Sequence, residues 1–342
     1  MRTLLLLWLF VASGADSLQV MFWNVENFFD WRNDSTTVSD VEFSAAGERH
    51  WTWKRFQAKA NAFAKALFWV EAVTGHLPDI VGLEEVENAF VLRQVLQKTA
   101  LRKLDYKYVH FDSPDRRGID VALLYRSSRL ELLDSKPCHL FAADTVMATR
   151  DILLCMFRRD SAKVAVLVNH HPSKYGGAAE SEPRRRIAVE RLRFLADSLA
   201  AIGIDRIIAG GDFNDTPDNL VFRLLEPALL PLHMDLFHRG LGTIKYDGKW
   251  DLIDHIYVSP ALVAVPKSAS APDSSSGEVD RPADKVGAPS ARARMRILRI
   301  PFLLTRDTVH SGEKPLRTYT GPRHTGGVSD HLPVLLEVMF PP

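Results

Sequence analysis

Apolar positions fall in short blocks along most of the chain, and the period of each block marks its element. Residues 18–25 alternate into an apolar strand that ends at Asn24-Val25-Glu26-Asn27. Over residues 54–73 the period lengthens, with Phe56, Ala60, Phe63, Ala64 and Leu67 at helical spacing. Residues 79–83 read as a short buried strand closing on Glu84-Glu85, and 88–99 as a helix with Asn88 as its N-cap. A strand-rich middle follows, at 106–111, 120–125, 130–133, 152–157 and 164–169. Residues 182–201 form an amphipathic helix, 206–209 a buried strand and 219–225 a helix. Strands at 252–258, 296–304 and 334–340 complete the pattern. Strands and helices interleave with several hairpins between, which favours a layered α/β sandwich over a simple doubly wound sheet.

Two segments depart from this pattern. Residues 267–294 are Ser, Ala, Pro and charge with almost no large apolar side chain, so they read as a flexible surface insertion within one domain of residues 18–342. At the start, Arg2 precedes the apolar run 4–12, and Ser13-Gly14-Ala15 offers a small-x-small cleavage site. That layout is a secretory signal peptide of residues 1–15, too short to span a membrane, and no later run is long enough to do so. The expectation is an exported protein, periplasmic or secreted, and a monomer. Export permits a disulfide between Cys138 and Cys155, and two buried free thiols fit as well. Two cysteines with no histidine cluster beside them make no zinc site. With a net charge of +1 over 342 residues, any phosphate binding must be local.

Chemistry concentrates where strands end. The buried strand at 206–209 runs into GGDFNDTP, with Asp212, Asn214 and Asp215 packed together. Alone, that stretch suits an Asx-rich turn with a helix cap. Other strands also end in polar residues: Asn24, Glu85, Asp120, His170, Asp254 and the pair Asp330-His331. Buried acids are costly unless paired or bound to metal. Converging strand ends would make one carboxylate-rich pocket with two histidines, suited to a hard divalent cation with oxygen ligands. The histidines would then serve as base or as stabiliser of charge on a pentavalent phosphate.

The stretches FWNVENF, PDIVGLEEVEN, IDVALLYR, ATRDILL, VNHHPSKYGG, AGGDFND, WDLIDHIYVS and GGVSDHLPV occur in that order from about residue 18 onward. With them the chain resembles the endonuclease/exonuclease/phosphatase superfamily, in its deoxyribonuclease-I-like branch and as a secreted, bacterial-type member. GDFN and SDHLP together carry most of the signal. The resemblance implies a four-layer α/β/β/α sandwich of two mixed sheets face to face, with the site at one edge. It implies Mg2+, with Mn2+ or Ca2+ as alternatives, held by Glu85, Asn24 and Asp330. Asp212 and Asn214 match the pair that orients the attacking water, and His170 and His331 the two histidines. Asp254 would orient His331, and Asp120 would orient His170. Asn24 and Arg150 would meet the substrate phosphate, and Lys174, which with Tyr175 follows the His170 strand, is placed to reach the substrate. Glu84 stands where the family often has Gln.

The remaining candidates read more plainly. His50, His76, His110, His139, His233 and His238 are surface or core residues, and His171 and His255 point to the opposite face from their neighbours. Arg184 and Arg185 read as a solvated helix face, with Arg186 left open. Glu26 and Glu84 read as supporting residues. The resemblance implies phosphoester hydrolysis but not its substrate. Leu252-Ile253-Asp254-His255 replaces the Cys-Asp-Arg signature of inositol phosphatases. DNA or RNA is the expected substrate, with Arg116, Arg117, Arg150 and Lys174 as a local basic patch. A sphingomyelinase-like phospholipid activity is the alternative, if Trp51, Trp53 and Phe56 form an apolar ridge. A binding protein that kept the fold and lost the chemistry is the third reading.

Overall fold

The computed structural model describes residues 17–33, 37–174, 177–263 and 293–339. Residues 1–15, expected to be a signal peptide, and nearly all of the expected 267–294 insertion lie outside the described residues. Two six-stranded sheets form the centre. In the first, the strands run in the order Ala293–Ile297, Val334–Met339, Ser17–Phe28, Ile80–Val86, Asp120–Arg126 and Tyr106–His110. In the second the order is Leu230–Pro231, Asp254–Val258, Ile207–Asp212, Ala162–His170, Ile152–Arg159 and Glu131–Cys138. Each sheet is mixed, with one parallel contact: Ser17–Phe28 beside Ile80–Val86, and Ala162–His170 beside Ile207–Asp212.

Three cores separate four layers. Leu18, Val20 and Phe22 point between the sheets with Val166, Val168, Ile208 and Ile256. The intervening Met21, Trp23 and Val25 pack under the helix Trp53–Thr74, on Phe56, Ala60 and Phe63. On the far side Leu167, Ala209 and Tyr257 meet Leu192, Leu195 and Leu199 of the helix Ala178–Ala201. The period-two alternation of each strand therefore feeds two cores at once, which is the four-layer α/β/β/α sandwich expected from the sequence. The helix ends follow their caps. Asn88 Oδ1 accepts from Val91 N at 3.0 Å, and Gly75, at φ 92°, closes the helix Trp53–Thr74 by donating to Glu71 O at 2.8 Å.

Two elements differ from expectation. The strand expected at 296–304 stops at Ile297, and a 3-10 turn, Pro301–Leu303, follows, because Pro301 has no N–H for a ladder. The helix expected at 219–225 is a 3-10 helix, Leu220–Leu225. The two cysteines are buried and unbonded. Cys155 faces the core between the sheets and Cys138 the core under the outer helix, so the sheet itself separates the thiols.

Candidate active site

Strand parity selects the residues that converge. Phe22, Val168 and Ile256 point between the sheets, and two residues along each strand lie Asn24, His170 and Asp254. Asp212 stands on the same face as Ile208, four residues before it. In the second sheet Asp212 is in register with His170 on one neighbour and Asp254 on the other, so the three side chains form a row. The sheets pinch together beneath this row. Phe22 lies against Gly82 and Gly210, where an added Cβ would meet its ring at 2.5 and 2.4 Å. That close approach lets Asn24 Nδ2, from one sheet, donate to Asp212 Oδ2, from the other, at 3.0 Å.

Glu85 reaches the site by a different route. Alternation along Ile80–Val86 gives Glu84 the inter-sheet face and Glu85 the outer one. The register with Asp120–Arg126 slips between Glu84 and Val86, and Glu85 adopts φ 65°. This β-bulge re-aims its carboxylate, as bulges beside active sites do. Oε2 accepts from Asn27 N at 2.8 Å, and Oε1 lies 3.9 Å from His170 Nε2. Glu26, Asn27 and Asn214 also hold positive φ values of 47°, 51° and 53°. Such strain persists where surrounding structure over-determines it.

His331 enters from a loop. Its backbone N–H donates to Ser329 Oγ at 2.9 Å, and that hydroxyl donates to Asn24 O at 2.6 Å. Its Nδ1 meets Asp254 Oδ2 at 2.9 Å, which leaves Nε2 facing Asp212 Oδ2 at 3.9 Å. His170 Nε2 lies 3.6 Å from the same oxygen. Asn214 donates its backbone N–H to Asp212 Oδ1 at 2.8 Å and its side-chain amide to His171 O at 2.9 Å.

The electrostatics separate the two histidines. Burial opposes a charge on His331, but the Asp254 and Asp212 carboxylates outweigh it and hold its pKa well above the ordinary value. Burial, with the Arg150 cation next, drives His170 well below that value. Burial lifts Asp212 to about 7, with His331 pulling it down and Asp254 pushing it up. At neutral pH the pocket thus sets an imidazolium and a neutral imidazole on either side of one carboxylate whose pKa lies in the same range. Groups whose pKa values are pushed apart in this way suit acid and base roles.

Asn24, Glu85, His170, Asp212, Asn214, Asp254 and His331 come together. Asp330 sits at the edge, its Oδ2 held by Arg317 at 3.1 Å, and Arg317 also reaches Glu26 at 3.0 Å. Arg150 is committed to Asp115 Oδ2 at 3.0 Å and to His171 O at 2.8 Å. Lys174 pairs with Asp215 at 2.6 Å. The Asp120 assignment needs correcting. Asp120 shares the parity of Ala122 and Leu124, whose side chains face the outer helices, not the other sheet. It pairs with His110 Nε2 at 3.1 Å and accepts from Ser113, while His170 Nδ1 has no hydrogen-bond partner among the described residues. Asp120→Asn should therefore leave kcat within about tenfold of wild type, against the ~10²–10⁴ of an acid–base group. The cost should fall on stability, by about 1–2 kcal/mol in a urea titration.

Other readings also shift. His110 and His139, read as plain surface or core residues, each meet a carboxylate, Asp120 at 3.1 Å and Asp151 at 2.8 Å. His171 and His255 point away from the row, as alternation requires, and pack on Phe213 with ring centroids 4.4 and 5.0 Å apart. Arg185 is buried against Asp215 at 3.1 Å instead of solvated, and Arg186 is exposed, paired with Glu190. Arg317 and Asp115 had no sequence signal, since only the folded contacts reveal them, and Ser329 stands in the SDHLP stretch but its bridge from His331 to Asn24 shows only in the fold.

The donor set bears on a metal. Glu85 Oε1 has no hydrogen bond among the described residues and lies 3.9 Å from His170 Nε2 and 3.8 Å from an Arg117 nitrogen, while Glu26 and Asp330, both held by Arg317, add their carboxylates to the same field. A carboxylate oxygen in an acidic, oxygen-rich surround fits a hard divalent cation that keeps waters and substrate oxygens as its other ligands. Asn24 Oδ1 already accepts from Glu26 N at 3.0 Å, so Glu85 is the best-prepared ligand of the three expected. Separately, ligand atoms of His110, Asp112 and Asp120 lie within 4.8 Å of one another, on the outer face of the first sheet.

Two face-to-face sheets between outer helices, with a row of carboxylates and histidines at their shared edge, define a layered α/β/β/α sandwich with one concentrated polar site. The sequence model of the Endonuclease/Exonuclease/phosphatase family matches residues 19–339, and the chain belongs to that family. Its members are phosphoester hydrolases that generally depend on a divalent metal. Protein angel of Drosophila melanogaster is 26% identical over 198 residues, 52% of this chain and 54% of that protein. The chain thus spans about half the length of the curated relative it matches. Among solved structures, the Bacteroides thetaiotaomicron mannosyl-6-phosphatase aligns with TM-score 0.56 and 15% identity, covering 94% of this chain and 100% of its own. Danio rerio TDP2 complexed with a single-strand DNA product aligns with TM-score 0.51 and 15% identity, covering 94% and 98%. At these identities the solved structures share the fold.

Proposed function

We propose that the protein is an exported, Mg2+-dependent phosphodiesterase that cleaves DNA or RNA by in-line attack of water. The observation that carries this reading is the row His170–Asp212–Asp254, completed by Asn24 and His331 and set opposite Glu85. In it Asp212 takes the proton of the attacking water, held in place by Asn24 and the Asn214 backbone. His331, charged and steadied by Asp254, stabilises negative charge on phosphorus or protonates the leaving oxygen. His170, neutral, donates one hydrogen bond to a phosphate oxygen. Mg2+ on Glu85, with Asn24 and Asp330 nearby, would neutralise charge on a non-bridging phosphate oxygen.

Nucleic acid is favoured over lipid on two counts. Danio rerio TDP2, on the same fold, is complexed with single-strand DNA product. The aromatic ridge a phospholipid substrate would need is missing from the three residues expected to build it: Trp51 and Phe56 are fully buried, and only Trp53 is exposed. No helix among the described residues is long and apolar enough to cross a membrane. Export rests on the sequence of residues 1–15. The intact row argues against a purely binding role, because a degenerate member should lack Glu85, Asp212 or His331.

The test is Mg2+-dependent cleavage of plasmid DNA, RNA and sphingomyelin in parallel, with His331→Ala as control. The reading expects nucleic-acid cleavage that the variant loses. Sphingomyelin hydrolysis alone would replace it with the lipid reading, and inactivity on all three would reject both.

A further inference from the structure

A cavity of about 810 Å³ opens beside the hydrolytic centre. Its wall carries Arg116, Arg117, Arg150 and Arg184, with Asp115 the single acid among the described residues and Met147 an apolar patch. Asp115 is already used, by the Arg150 guanidinium at 3.0 Å and the Arg117 backbone N–H at 2.9 Å. Arg116 and Arg184 have no carboxylate within ion-pair distance among the described residues. Four guanidinium groups thus face one carboxylate in a chain whose net charge is +1. The cavity adjoins the centre directly: an Arg117 terminal nitrogen lies 3.8 Å from Glu85 Oε1, and Arg150 donates to the carbonyl of His171, next to His170. Arg150 ties the wall together, and the like charges gathered around it repel one another. They focus a field that draws an anion, and planar guanidinium forks match phosphate oxygens.

Resting on the phosphodiester reading, we infer that this cavity is a subsite for a second phosphate of the substrate, adjacent to the one being cleaved. The substrate class is then a nucleotide chain with at least two neighbouring phosphates. A sphingomyelin-type diester, with one phosphate, leaves the arginines without a partner. Arg116 and Arg184 provide the charge that no described carboxylate uses, Arg117 spans the two sites, and Met147 offers a surface for a base or sugar.

The experiment compares kcat/KM for the dinucleotide TpT with that for pTpT and TpTp, with bis(p-nitrophenyl) phosphate as the one-phosphate reference. Wild type should prefer one of the two phosphorylated forms over TpT by about a hundredfold, through KM. In R116A/R184A that ratio should fall towards one, and R116K/R184K should restore part of it. Equal kcat/KM for TpT and both phosphorylated forms in wild type, or a ratio unchanged in R116A/R184A, would overturn the subsite. If none of these esters is cleaved, the phosphodiester reading fails, and titration calorimetry with inorganic pyrophosphate decides the subsite on its own. Binding to wild type that R116A/R184A loses supports it, and equal or absent binding removes it.

Discussion

Asp212→Ala should lower kcat on any phosphodiester the protein cleaves by about three orders of magnitude or more, with KM little changed. Three losses coincide at this one side chain. Water loses its base, Asn24 Nδ2 loses the oxygen it meets at 3.0 Å, and the His331 imidazolium loses one of the three carboxylates that hold its charge. These groups act as a unit, so Asp212→Ala/His331→Ala should be scarcely slower than Asp212→Ala alone. Initial rates on bis(p-nitrophenyl) phosphate and plasmid DNA measure both effects, with circular dichroism to confirm folding. A variant that turned over at wild-type speed would remove Asp212 from the reaction.

Much of this site can be read from the sequence because its residues share one physical signature. Asn24, His170 and Asp254 adjoin apolar strand cores, and their parity can be counted from Phe22, Val168 and Ile256. Asp120 shows where counting fails. Val121, Leu123 and Tyr125 face one core, and Ala122 and Leu124 another, so both faces of that strand are apolar. Nothing in the alternation says which face meets the second sheet. Glu85 fails for the opposite reason: counted strictly, it points away, and only the bulge at φ 65° returns it. Arg185 reads as solvated from its helix, yet the approach of Asp215 buries it, a long-range contact no local pattern carries. Cys138 and Cys155 remained ambiguous until the strand faces were known.

Glu84→Gln should raise stability at neutral pH while leaving the pocket's shape intact, and the gain should shrink to nothing as pH falls to about 4.5. Glu84 is fully buried, and neither of its carboxylate oxygens has a hydrogen-bond partner among the described residues. It is packed so closely that a Cβ on Gly211 would come within 2.7 Å of its Oε1. Burial first, then the Asp254 and Asp212 carboxylates, hold its pKa well above the ordinary 4.5, so the folded protein keeps the proton. The unfolded chain releases that proton above about pH 4.5, where a glutamate ordinarily titrates. Folding must then take a proton back, at roughly 1.4 kcal/mol for each pH unit above that point. The contribution is full below pH 4.5 and is lost as pH rises towards the folded-state value. Glutamine has the same shape and buries an equally unpartnered polar group, but has no proton to recover. Urea unfolding of the metal-free proteins should give similar stabilities near pH 4.5 and diverging ones at pH 6, 7 and 8, with the variant ahead. Parallel curves across that range would mean that Glu84 is ionised in the folded state, with a counter-charge in the pocket to hold it.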